Sequence, residues 1–138
     1  MAEGLLRYLL SEKGHNDIQV LSAGVSAMPG FGPTPETVEV MEEEGIDVSG
    51  HSGQPVTREL VEKADAIFCM EEFHRDLVLA QSPEAEAKVH LLKTFLVDHP
   101  MPDPDVMDPI GHSIQIYRAC LKTIKEGVER IIAWLEKP

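Results

Sequence analysis

Ala66-Ile67-Phe68-Cys69-Met70 is the stretch on which the fold turns. It is apolar throughout, without the in-and-out alternation of a half-solvated strand, so it predicts a short strand buried on both faces. Just before it, Thr57 stands as a helix cap ahead of Leu60, Val61 and Ala64. Just after it, Glu71 to Ala80 predicts a helix with Phe73, Leu77 and Ala80 turned inward. Further out, Val89-His90-Leu91-Leu92 and Ile18 to Leu21 are two more short apolar runs that predict strands. Helical spacing recurs in Ala2, Leu5, Leu6, Leu9 and Leu10, closed by Gly14, and in Val38 and Met41 behind a Thr34-Pro35 start. The longest helical pattern follows a Ser113 cap, with Ile114, Tyr117, Leu121, Ile124, Val128, Ile131 and Leu135 on one stripe. Strands alternating with helices predict an α/β fold with a parallel sheet. Three short strands are few for this many helices, and Met1 opens the first helix without a cap. Both features predict a further, central strand ahead of residue 1.

The totals bound what such a domain does. At 138 residues, with 43% apolar and 26% charged, the chain suits one domain, 1–138, with a real core. The net charge of −12 comes without a basic stripe, which argues against nucleic acid as a partner. It also argues against a membrane surface, whose anionic headgroups repel it. Cys69 and Cys120 are the two cysteines, and their separation fits neither a zinc site nor a redox pair. Reduced thiols and the lack of a signal-like start predict a cytoplasmic protein. The scattered His15, His74, His90, His99 and His112 show no metal-ligand spacing. The glutamates Glu42 to Glu44 predict a solvated helix face. Val97 to Gly111 holds four prolines and four aspartates. That loop is long for a compact domain, and long loops tend to carry function.

Five segments in register give the chain a resemblance. They are Met1-Ala2-Glu3-Gly4-Leu5, Ser22-Ala23-Gly24, Gly45-Ile46-Asp47-Val48-Ser49-Gly50-His51, Ala64 to Met70, and Asp108-Pro109-Ile110-Gly111 with Tyr117 beyond it. In order and spacing the chain resembles the bacterial low-molecular-weight protein tyrosine phosphatases, a family that includes protein arginine phosphatases. The resemblance implies a four-stranded parallel sheet flanked by helices. It also implies a first, central strand leading through a Cys-x5-Arg-Ser loop into the first helix. Neither that strand nor that loop stands in these residues, so the expected domain is incomplete at its N-terminus.

The implied chemistry is cysteine-dependent hydrolysis of a phosphomonoester or phosphoramidate, on a phosphorylated protein or a small phosphoester. A thiolate attacks phosphorus, loop amides and a helix N-terminus hold the phosphate and lower the thiol pKa, and an arginine fork grips the transferring group. An aspartic acid then protonates the leaving atom. Asp108-Pro109 fits the family's acid, with Asp103-Pro104 the lesser candidate; apart from the resemblance, both Asp-Pro pairs read as turn residues. Ser22 and His51 stand where the family holds its phosphate loop by hydrogen bonds, although His51 fits a polar surface turn equally well. No cofactor is implied. Ile110 in place of an aromatic residue weakens phosphotyrosine stacking and leaves phosphoarginine open; Phe31 is a candidate wall.

Cys69 to Arg75 is formally Cys-x5-Arg, but it has no glycine to let amides converge and it holds two glutamates that repel phosphate. It predicts a buried strand-end thiol. Cys120 predicts a core thiol, and the chain lacks the clustered redox cysteines of the arsenate reductases that share the fold. The expectation is therefore an inactive 138-residue chain, or alternatively a non-catalytic binding module. Loss of a central strand leaves neighbours without partners. That predicts instability, aggregation or self-association through the gap.

Overall fold

The computed structural model describes residues 1–25 and 31–137. Among the described residues five α-helices and two strands follow one another: α1 (Ala2–Glu12), α2 (Pro35–Glu43), α3 (Arg58–Lys63), β1 (Ile67–Cys69), α4 (Glu72–Gln81), β2 (Val89–Leu91) and α5 (Ile114–Leu135), with a 3-10 helix at Pro83–Lys88. β1 and β2 pair in parallel, Ile67 beside Val89, Phe68 beside His90 and Cys69 beside Leu91. A parallel pair needs a crossover, and α4 with the 3-10 turn supplies it.

Strand periodicity sorts the core into two clusters. Phe68 and Met70 pack against a large one, built from Leu5 and Leu10 of α1, Val40 and Met41 of α2, and the stripe of α5 from Tyr117 to Ile132. Cys69 and Ile67 turn the other way, to Val61, Val78, Ala85, Val89 and Leu91. The two-stranded sheet therefore carries α1, α2 and α5 on one face and α3 and α4 on the other. Each leucine or isoleucine buried this fully stabilises the fold by roughly 1.5–3 kcal/mol, so the face with α5 dominates.

Two caps form as the sequence predicts. Thr37 N–H donates to Thr34 Oγ1 at 3.3 Å, and Leu60 N–H donates to Thr57 Oγ1 at 3.1 Å. Ser113 occupies the cap position of α5, but the cap there is backbone alone: its carbonyl accepts from Ile116 and Tyr117. Gly45 takes φ +77° after α2, the left-handed turn that glycine makes without strain.

Three expectations change. Ile18–Leu21 is not a strand. Among the described residues its backbone makes no backbone–backbone hydrogen bond, and only the isolated parallel bridge Gly24–Pro55 forms beyond it. An apolar run becomes a strand only against a partner. The sheet is accordingly two-stranded among the described residues, not three- or four-stranded. Finally, α4 buries Val78, while Phe73 is 61% exposed and Leu77 and Ala80 also face outward. The small second cluster is reached from the Arg75–Val78–Ser82 side, and it sets the rotation of the helix. Among the described residues no helix is long and apolar enough to cross a membrane.

Candidate functional site

Glu3, in the first turn of α1, organises one end of the molecule. Ser22 Oγ donates to Glu3 Oε1 at 2.8 Å, and His51 Nδ1 lies 3.6 Å from Glu3 Oε2. Arg7, one turn on, reaches both Glu3 (3.4 Å) and the carbonyl of Val20 (2.6 Å). The unpaired segment before Ser22 is thus tied to α1 by a side chain instead of by a ladder. The Arg7–Glu3 pair itself adds little, because the Arg7 end is exposed and water screens it.

The neighbouring chain segments are set by local chemistry. Asp47 Oδ1 accepts from the amide and hydroxyl of Ser49 at 2.9 and 2.6 Å, and the His51 amide closes on the Val48 carbonyl at 3.0 Å. The Gly24 amide donates to Gln54 O and the Val56 amide to Gly24 O, while Gln54 Nε2 donates to the carbonyl of Ser22 at 3.0 Å. Together these place Ser22, Ala23, Gly24, His51, Gly53 and Gln54 around a cleft of about 240 Å³. Small residues and backbone form most of its wall, with the Ser22, His51 and Gln54 side chains among its lining.

Asp108 stands apart from this group. It is exposed, its Oδ1 accepts from the Ile110 amide at 3.1 Å, and no hydrogen bond joins it to Glu3, Ser22 or His51 among the described residues. It lies close enough to Cys120 to act on that thiol, which is pushed up first by burial and then by the Asp108 carboxylate. Cys120 Sγ donates to the Met107 carbonyl at 3.3 Å. The lesser candidate, Asp103, is engaged elsewhere, with its Oδ2 3.7 Å from Lys93 Nζ. Phe31 and Ile110 are both exposed.

Cys69 behaves as a buried strand-end thiol. It is 6% exposed, and burial pushes its pKa up to about 11, against the opposing pull of Arg75. A nucleophilic cysteine needs the opposite shift. Among the described residues no cluster of three or more histidine, cysteine, aspartate or glutamate side chains is placed to hold a metal.

Two contacts escaped the sequence. Glu3 links Ser22 with His51 across separations of 19 residues and more, for which no local pattern exists. Asp105 Oδ1 accepts from the Glu72 amide at 2.8 Å, capping α4 from 33 residues away. With the Val106 amide bonded to the Met70 carbonyl at 2.7 Å, this pins the long loop to the end of β1. A cluster of Asp-Pro pairs signals a loop, and nothing in it signals where the loop docks.

Known proteins are similar to this chain in sequence and in fold. The chain is 34% identical to a protein-arginine-phosphatase of Bacillus subtilis over 99% of its own length and 88% of that protein. It is 31% identical to a probable low molecular weight protein-tyrosine-phosphatase, EpsP, of Ralstonia nicotianae, over 99% and 85%. The solved YwlE arginine phosphatase superposes with a TM-score of 0.88 at 32% identity, covering 99% of this chain and 86% of that one. A low molecular weight protein tyrosine phosphatase from T. tengcongensis gives 0.85 at 30% identity, over 96% and 87%. The profile of the low molecular weight phosphotyrosine protein phosphatases matches residues 1–138 from end to end, and the chain belongs to that family.

Proposed function

We propose that this chain is the body of a cytoplasmic, cysteine-dependent protein phosphatase acting on phosphotyrosine or phosphoarginine. Hydrolysis belongs to a longer polypeptide in which a strand and a Cys-x5-Arg loop lead into α1. One observation carries the reading: two apolar segments, Ile18–Leu21 and β1, each have an edge without a ladder partner among the described residues. Neither cysteine of residues 1–138 supplies the nucleophile, since both are buried with raised pKa values. In this reading Asp108 is the acid that protonates the leaving oxygen or nitrogen. Asp108 is preferred over Asp103 because no cation pairs with it among the described residues, whereas Asp103 faces Lys93. Ser22 and His51 position the phosphate loop. The exposed aliphatic Ile110 beside Asp108 weakens phosphotyrosine stacking and leaves phosphoarginine open, since an aliphatic side chain has no π-face. Reduced, unpaired thiols support the cytoplasm.

A non-catalytic binding module is the second reading. It is favoured by the Glu3 carboxylate, which already engages Ser22 and His51 inside the chain. Turnover of p-nitrophenyl phosphate separates the two. The 138-residue chain is expected to show none, and a chain extended by a strand and a Cys-x5-Arg loop is expected to be active and to lose activity about 100-fold or more with Asp108→Ala. Activity in the short chain overturns the first reading. An inert extended chain that is folded selects the second.

A further inference from the structure

The chain has five arginines, and four are engaged. Arg7 meets Glu3 and Val20, Arg58 meets Glu62 and Glu84, and Arg118 holds Glu43 through two bonds. Arg130 donates to the carbonyls of Leu92, Lys93 and Phe95. Arg75 is different. Its Nε is buried without a hydrogen-bond partner, and among the described residues no carboxylate pairs with its guanidinium. In a chain of net charge −12, acidic partners are abundant, so an unpaired, half-buried guanidinium is costly unless something else meets it.

What surrounds it has the form of a site. Arg75 lines a cleft of about 400 Å³ together with Val89, His90, Leu91, Thr94, Phe95 and Leu96, a size that suits a small ligand. The cleft joins a cation, an imidazole and a hydroxyl to an apolar wall. Phe95 packs edge-on to Phe68 at 4.8 Å and to Trp134 at 5.4 Å, and lies 4.9 Å from His90, so the wall is rigid. The rim is held in an unusual backbone state: Leu96 takes φ +60°. Leucine adopts that conformation only when its surroundings impose it. Here the Val97 amide closes a turn on Thr94 O at 3.0 Å, and Arg130 clamps three carbonyls of the same segment.

We infer that the Arg75–His90–Thr94 cleft binds an oxyanion, a phosphate or carboxylate group, carried on an apolar stem that lies against Phe95 and Leu96. A planar guanidinium matches two oxygens of such a group, and Thr94 and His90 have the polar atoms to complete the contact. The cleft borders β2 and α4, away from the Glu3–Ser22–His51 group, and the inference is independent of the catalytic reading.

The test titrates the 138-residue chain with inorganic phosphate, phenyl phosphate and benzoate at constant ionic strength, with chloride as the control. Heat and the His90 ring-proton resonances are followed. Saturable binding that shifts His90, and that weakens about tenfold in Arg75→Gln and several-fold in Thr94→Val, is the expected result. Phenyl phosphate binding more tightly than benzoate assigns a phosphate ligand; the reverse assigns a carboxylate. If Arg75→Gln does not fold, Arg75→Lys keeps the charge and removes the fork, and it is expected to bind several-fold more weakly. No saturable shift at His90, or equal affinity in the Arg75 and Thr94 variants, overturns the inference.

Discussion

β1 pairs with β2 over three residues, whereas Ile18–Leu21, an apolar run of similar length, pairs with nothing among the described residues. Both segments contribute side chains to the large cluster. They differ in what stands beside them. β1 has its crossover, α4, and a neighbour within reach. Ile18–Leu21 is held by Arg7 and leaves Leu21 53% exposed. A strand is a relation between two backbones, and burial of one face does not replace a partner.

The largest expected effect comes from supplying that partner. A version extended at its N-terminus by an apolar strand and its loop is expected to gain about 3 kcal/mol or more in urea unfolding, from several newly paired backbone groups. The amides of Ile18–Leu21 should then exchange at least tenfold more slowly. Equal urea midpoints break the comparison, because the two segments would then differ for some other reason.

The paired region is closed, and the Cys69 thiol measures how closed. With its pKa pushed up to about 11, the thiol stays protonated at pH 8, where an ordinary cysteine near 8.5 is partly ionised. Alkylation by iodoacetamide at pH 8 should therefore run about 100-fold slower than on the urea-unfolded chain. Because the folded value is raised, ionisation favours the unfolded state as pH climbs above about 8.5. The contribution of this thiol to stability is then lost progressively toward pH 11. Rapid modification at pH 8, mapped by mass spectrometry, indicates that the β1 edge opens as freely as the unpaired segment.

Packing sharpens the same contrast. A Cβ on Gly127 of α5 would lie 2.7 Å from Leu92 Cγ and 3.0 Å from its carbonyl oxygen. Gly127→Ala should cost about 2 kcal/mol by overpacking. On α1, beside the unpaired segment, a Cβ on Gly4 meets Val48 Cγ1 at 2.8 Å and Met41 Cε at 3.4 Å. Both are side-chain ends that can shift, so Gly4→Ala should cost less than about 1 kcal/mol. Thermal melts of the pair give the difference directly. Glu3→Gln has a comparably small expected effect, about 1 kcal/mol. It should appear as a loss of protection around Ser22 and His51, with β1 and β2 unchanged in hydrogen exchange.

Much of this was legible in the residues. The Ala66 to Met70 run, the Thr34 and Thr57 caps, the stripe of α5 and the long Asp-Pro loop are local signals, written in spacings of a few residues, and each took its expected form. The family likewise followed from segments in register. Where the sequence misled, the deciding partner was distant. The face that α4 buries depends on a cluster assembled from Val61 to Leu91, and Phe73 and Leu77 gave a periodicity that points outward.

The amino-acid order alone determined where the helices capped by Thr34 and Thr57 begin, which runs are apolar, and that Cys69 sits in a stretch hostile to phosphate. Only the tertiary structure decided that Ile18–Leu21 stays unpaired among the described residues, that Glu3 joins Ser22 to His51, that Asp105 caps α4, and that Arg75 is left facing a cleft. The first set depends on interactions within a turn or two of chain. The second depends on which surfaces meet, and a meeting of distant surfaces leaves no trace in local spacing.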